Sequence, residues 1–197
     1  MTGEDDAGGG AFRALVGISG ASGAVYGVRV LEVLGAMPGV EVHLIVTEAA
    51  RGIIEDETER ELEEVLDLAH HVWADGEMES PLASGSFPLD AMAVVPCSVS
   101  TVAKMAGGIG DSLLTRAAAV SLKERRRLVV VAREMPLSTI DLRNLTALSE
   151  AGAVVAVASP PFYTGPETVG DMVDLVAGRV ISLMGLDPGP LLRRYEP

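Results

Sequence analysis

Five short, mostly apolar runs alternate along the chain with segments of helical apolar spacing. The runs cover residues 14–19 (ALVGIS), 40–47 (VEVHLIVT), 91–95 (AMAVV), 128–132 (LVVVA) and 153–157 (AVVAV). A strand that is apolar on both sides of its pleat must be buried on both faces, which a parallel sheet covered by two helix layers provides. Between the runs, Val25, Val28, Leu31 and Leu34 mark one helix, and residues 55–69 read as an acidic helix with Leu62, Val65, Leu66 and Ala69 on one face. Residues 111–124, 138–151 and 168–184 give further helices, and residues 78–88 have the composition of a loop. The pattern predicts an α/β doubly wound parallel sheet, a Rossmann-like three-layer sandwich. A single domain is expected over residues 14–190, behind a disordered tail at 1–13. In such sheets ligands bind beyond the carboxyl ends of the strands, so chemistry is sought after Ile18, Val46, Val95, Ala132 and Val157.

Charge narrows the partners. The 197 residues carry a net charge of −13, with 28 acidic against 15 basic side chains. Phosphate backbones need clustered Lys and Arg, so a nucleic-acid surface is not expected. No apolar run reaches the ~20 residues of a membrane helix. The opening MTGEDDAGGG lacks the basic and apolar regions of a signal peptide, and a lone cysteine fits a reducing compartment, so a cytoplasmic protein is expected. Of the basic residues only Lys104 and Lys123 are lysine. Abundant carboxylates with so little lysine match a surface adapted to concentrated salt; an arginine-favouring genome is the alternative.

The first strand-to-helix loop reads Gly17-Ile18-Ser19-Gly20-Ala21-Ser22-Gly23. Glycines let backbone N–H groups approach an anion, and the helix N-terminus adds a favourable dipole. The GxxGxxG spacing points to phosphate more than to a dinucleotide, although a tight turn alone also needs small residues. Thr47 ends the second strand where dinucleotide folds often place a ribose-binding acid, which tilts the reading toward a mononucleotide. After Pro96, the Cys97-Ser98-Val99-Ser100-Thr101 segment opens a helix with hydroxyls that act either as N-caps or as ligand contacts. Cys97 is either a small buried residue or a nucleophile, and His43, His70 and His71 lack metal-ligand spacing. Arg116 and Lys123 lie two helical turns apart on one face. Arg133 follows a buried strand at its ligand-binding end, with Glu134 beside it as a helix-start acid or a carboxylate aimed into the site.

In order along the chain, GISGASGAVYG, ASGSF, VVPCSVSTVAKMAGGIGDSLLTRAAAVSLKERRRLVVVAREMPL and PPFYTGPETVGDMVDLVAGRV resemble successive signatures of the UbiX/Pad1 family of flavin prenyltransferases, over residues 14–186. The resemblance implies a flavodoxin-like homododecamer that joins a dimethylallyl group, from dimethylallyl phosphate, to N5 and C6 of reduced FMN without a metal. The product serves a UbiD-type decarboxylase. Carried over by position, Gly20, Ala21, Ser22, Thr47, Ser98, Val99, Ser100, Thr101 and Arg133 would hold FMN. Arg116, Lys123, Arg133, Tyr163 and Arg179 would bind the donor phosphate, and Ser22, Glu57, Glu134 and Lys123 would be catalytic. Met78 stands where several relatives have an aromatic, with Trp73 nearby; Thr164 replaces a usual His, and Asp90 an occasional Asn. The rival readings are a cysteine-decarboxylase-like flavoprotein, whose helix histidine is missing from residues 25–34, a non-catalytic flavin carrier and an NAD-dependent reductase.

If the carboxylate excess is a salt adaptation, screening relieves repulsion among the acidic side chains. The melting temperature is expected to rise from low to molar KCl; a flat or falling trend removes that reading.

Overall fold

Residues 10–192 are described by a computed structural model. Six strands, β1 (Phe12–Ile18), β2 (Val40–Val46), β3 (His71–Ala74), β4 (Ala91–Cys97), β5 (Arg127–Ala132) and β6 (Val154–Val157), form one sheet in the order β3-β2-β1-β4-β5-β6. Every pairing is parallel, with Ala14 opposite Ala91 on one side of β1 and Val42 on the other. This is the expected doubly wound class. Its chain order reverses between β1 and β4, so a crevice opens there beyond their carboxyl ends.

Among the described residues seven α-helices flank the sheet: α1 (Ala24–Gly35), α2 (Glu48–Glu57), α3 (Leu62–Leu66), α4 (Val99–Ala106), α5 (Leu113–Lys123) and α6 (Thr139–Glu150) between strands, and α7 (Val169–Met184) after the last one. Alternation along the central strands sends Ala14, Val16 and Ile18 to one core, where Leu31, Ile54, Val65 and Ile181 bring α1, α2, α3 and α7. Leu15, Met92 and Val130 face the other core, which Val102, Leu114 and Leu148 close from α4, α5 and α6. Both faces are thus dry, the condition that the apolar runs imposed.

Three expectations change. β1 begins at Phe12, inside the segment assigned to the tail; residues 1–9 lie outside the described residues. The acidic stretch is not one helix: α2 ends at Glu57, Thr58 is extended at φ −122° and ψ 154°, and α3 restarts under a capping box of Glu61 and Glu64. Glu55, Asp56 and Glu57 crowd the negative end of the α2 dipole with no basic residue to offset them, so the helix stops there. Finally, the edge strand β3 is not among the expected strands: it is only four residues long, and three of them are exposed.

Close packing at the switch point sets a testable limit. A Cβ on Gly27 of α1 would lie 2.3 Å from the Val95 carbonyl oxygen and 3.0 Å from Ile18. Alanine normally stabilises a helix interior by about 1 kcal/mol over glycine. Here Gly27→Ala is expected instead to cost about 1–3 kcal/mol by overpacking. Chemical denaturation measures it, and a more stable variant contradicts the packing.

Candidate functional site

The loops that leave β1, β2 and β4 converge on the crevice. Gly23 takes the left-handed conformation at φ 99° as the N-cap of α1. A Cβ on Gly20 would meet the Ala49 Cβ at 2.6 Å, so glycine lets this loop lie against the start of α2. Thr47 is the α2 N-cap, yet its side chain caps nothing, and Oγ1 is buried without a hydrogen-bond partner. An unpaired buried hydroxyl costs about 1–3 kcal/mol, which a ligand oxygen at this helix N-terminus would offset. Ser98 caps α4: its Oγ accepts from the Thr101 N–H at 3.2 Å and lies 3.0 Å from Thr101 Oγ1, with Ser100 exposed beside them. Val99 begins the helix, and Ala21 is buried at the turn. These orphaned and clustered donors, opening past a glycine loop, fit a phosphorylated flavin.

The two acids assigned catalytic roles differ. Glu57, freed by the break after α2, accepts from the Gly23 N–H at 2.6 Å and the Ala24 N–H at 3.0 Å, capping α1 from a separate element. Burial pushes its pKa up, but the Ser22 hydroxyl, those two N–H groups and the Arg133 charge outweigh it, and the net shift is downward. Glu57 is therefore ionised at neutral pH. Arg133 donates from Nε to the Ser22 carbonyl at 2.7 Å, tying the end of β5 to the glycine loop. Glu134 is exposed and folds onto its own chain, accepting from the Met135 N–H at 3.0 Å.

Cys97 is fully buried, and burial pushes its thiol far up, so it is a packing residue rather than a nucleophile. The histidines hold a surprise for spacing arguments, because the β2–β3 register sets His43 opposite His71 and brings Glu41 alongside, with ligand atoms within 4.8 Å of one another. Burial first, then the charge of His71, pushes the His43 imidazole down to about 4. The Trp73 Nε1–H donates to His43 Nδ1 at 3.2 Å, which places the neutral ring's proton on Nε2. That nitrogen presents an N–H toward Glu41 at 3.5 Å and no lone pair to a metal, while Arg13 holds the other Glu41 oxygen at 2.9 Å. Trp73 is partly buried and packs against the core on that face of the sheet, and Met78 is exposed.

The residues assigned to the donor phosphate separate into groups. Tyr163 and Arg179 line one cavity of about 460 Å³ between the carboxyl ends of β5 and β6 and helix α7, walled by Val131, Leu175 and Val176. Lys123 ends α5 just before β5 begins, at the opposite edge of the sheet, where it contacts Glu124. Arg116 donates to the Ala83 carbonyl at 3.1 Å, nearer the start of that helix. One chain does not bring Lys123 to Tyr163 and Arg179. Sequence reasoning also gave Ser19 no role of its own beyond its place at the strand end and in the glycine loop; its buried hydroxyl spans the crevice to Pro96 and Ser98.

The Glu57 cap has a pH signature. A carboxylate whose pKa falls on folding stabilises the fold above its unfolded value, 4.5, and loses that contribution as pH drops through the lowered folded value. Glu57→Ala is expected to cost about 0.5–1 kcal/mol at pH 7, the low end for a lost cap because solvent reaches the site. In denaturant titrations the gap between variant and wild type should narrow as pH falls below 4.5 and close once it is below the lowered folded value; a gap that acid leaves unchanged refutes the ionic cap.

Comparison with known proteins agrees with this geometry. Residues 6–181 match the flavoprotein family. Flavin prenyltransferase UbiX of Thermoplasma acidophilum is 52% identical over 184 residues, covering 93% of this chain and all of that protein. The crystal structure of AnUbiX (PadA1) in complex with FMN and dimethylallyl pyrophosphate superposes with a TM-score of 0.92 at 42% identity, covering 95% of this chain and 98% of that one. A dodecameric FMN-dependent UbiX-like decarboxylase from Escherichia coli O157:H7 also gives 0.92, at 44% identity, with 94% and 100% covered. A buried crevice with unpaired donors, on this fold and with this identity over nearly its whole length, means that the chain belongs to the flavoprotein family, among its UbiX-type flavin prenyltransferases.

Proposed function

We propose that this protein joins the dimethylallyl group of dimethylallyl phosphate to N5 and C6 of reduced FMN, making prenylated FMN for a UbiD-type decarboxylase. What supports the reading is the presence of two separate places for an anion: the crevice with its orphaned Thr47 hydroxyl, and the cavity lined by Tyr163 and Arg179. Gly20, Ala21, Ser22, Thr47, Ser98, Val99, Ser100, Thr101 and Arg133 hold FMN in the first. Reduced FMN, when bound, supplies the two nucleophilic atoms that receive the prenyl group.

Breaking the allylic C–O bond sends its electron pair out with the phosphate, so the protein must stabilise that anion and keep water from the allyl cation. Arg179 and the Tyr163 hydroxyl meet the leaving phosphate; Val131, Leu175 and Val176 give the cavity its apolar wall. Ionised Glu57, aligned by Ser22, accepts a proton, and Glu134 serves proton exchange at the exposed rim. The solved UbiX-like decarboxylase is dodecameric. In the same assembly here, Lys123 and Arg116 of a neighbouring copy supply the cations that one chain leaves at the far edge. The protein works in the cytoplasm; no helix among the described residues is long and apolar enough to cross a membrane.

Anaerobic incubation with reduced FMN and dimethylallyl phosphate, followed by flavin mass spectrometry, should show a gain of one prenyl unit. Arg179→Ala should abolish most transfer while FMN still binds, because it removes a charge and a possible bidentate contact. Tyr163→Phe, lacking one hydroxyl, is expected to cost about 0.5–3 kcal/mol in single-turnover rate. Unmodified flavin, or wild-type transfer by Arg179→Ala, overturns the assignment.

A further inference from the structure

We infer that Ser19, which no assignment above includes among the flavin-binding residues, is the positioning residue that holds the two halves of the flavin site at their working separation. The inference rests on the proposed flavin reading. Regular pairing between β1 and β4 runs from Ala14–Ala91 to Gly17–Val94 and goes no further. On the other side of β4, the register with β5 shifts between Val94 and Cys97. Pairing with β5 resumes at Cys97–Ala132, where the Arg133 N–H donates to the Cys97 carbonyl at 3.2 Å, but on the β1 side the ladder has ended, and another contact must set how far the segment of Ser98 and Thr101 lies from the glycine loop.

Ser19 makes that contact. It is 1% exposed. Its Oγ–H donates to the Pro96 carbonyl at 3.0 Å, and the same oxygen accepts from the Ser98 N–H at 2.8 Å; its own N–H reaches the Pro96 carbonyl at 3.2 Å. One hydroxyl thus uses its single proton and a lone pair on two groups of the β4–α4 turn, which a methyl group replaces in neither role. Ser98 is the residue whose side chain caps α4 and pairs with Thr101. Moving its backbone displaces both hydroxyls relative to the glycine loop, which continues directly from Ser19. Removing the Ser19 hydroxyl leaves the Ser98 N–H buried without its acceptor, and the segment must shift to find another.

The test separates flavin binding from stability. FMN affinity by fluorescence quenching, the melting temperature of the apo-protein and amide exchange at Ser98 are measured for wild type, Ser19→Ala and Ser19→Thr. Ser121→Ala is the control, because Ser121 is also fully buried but bonds only within α5 and to Met92. Ser19→Ala should weaken FMN on the order of tenfold, the effect of about 1.4 kcal/mol, and speed exchange at Ser98. Ser121→Ala should lower the melting temperature and leave FMN affinity alone. Ser19→Thr, which keeps the hydroxyl, should bind FMN more tightly than Ser19→Val, which differs from it by one methyl for one hydroxyl; this pair decides the matter if the alanine variant does not fold. Equal FMN affinity in Ser19→Ala and wild type, or in the threonine and valine variants, overturns the inference. Failure of the wild-type protein to bind FMN defeats the flavin reading itself, a distinct result.

Discussion

Burial of both faces of an all-parallel sheet governs the rest of this structure. Parallel strands need crossover connections, and helices that cross over on both sides force the strand order to reverse once, between β1 and β4. At that reversal the α1 and α4 connections diverge to opposite faces, and the space between them is the crevice. Its walls are backbone turns because the strands have just ended. Their N–H groups and hydroxyls lack ladder partners and are available to a ligand, or, at Ser19, to one another.

This origin explains how so acidic a chain builds anion sites. With a net charge of −13, it does not attract phosphate through a general positive field. What the crevice presents instead is short-range, oriented donors: the Thr47 and Thr101 hydroxyls, helix N-termini and Arg133, whose guanidinium is fixed on the Ser22 carbonyl. Glu57 shows the same economy in reverse, since its carboxylate takes the orphan N–H groups of α1 and is kept ionised by them. An acid placed there caps a helix while keeping its negative charge.

The cavity beside α7 is built on a different principle. Val157, Phe162 and Tyr163 are more than half exposed along the rim, and Met135 and Ile140 lie open after β5. An isolated chain gains nothing from such residues in water. They lie exposed here, whereas the related UbiX-like decarboxylase is dodecameric.

Strands β1, β2, β4, β5 and β6 were legible because each is a continuous apolar run, and the glycine loop and the hydroxyls near Ser98 were legible because composition changes where a strand ends. The alternation of those runs with helical patterns determined the doubly wound sheet and hence the edge on which ligands sit. What the linear pattern did not contain were relations between distant segments. The break that turns Glu57 onto α1 depends on where Ile54 and Val65 find the core, and β3 exists only because β2 offers it a partner edge. His43, His71 and Glu41 meet through strand register, not spacing, and the proton that Trp73 sets on His43 follows from that meeting. Local propensity and burial are properties of a residue and its sequence neighbours, so the chain alone determined the sheet and its ligand edge. Hydrogen-bond partnership across 34 or 79 positions, as between Gly23 and Glu57 and between Ser19 and Ser98, is a property of packed layers, and only the tertiary structure decided it.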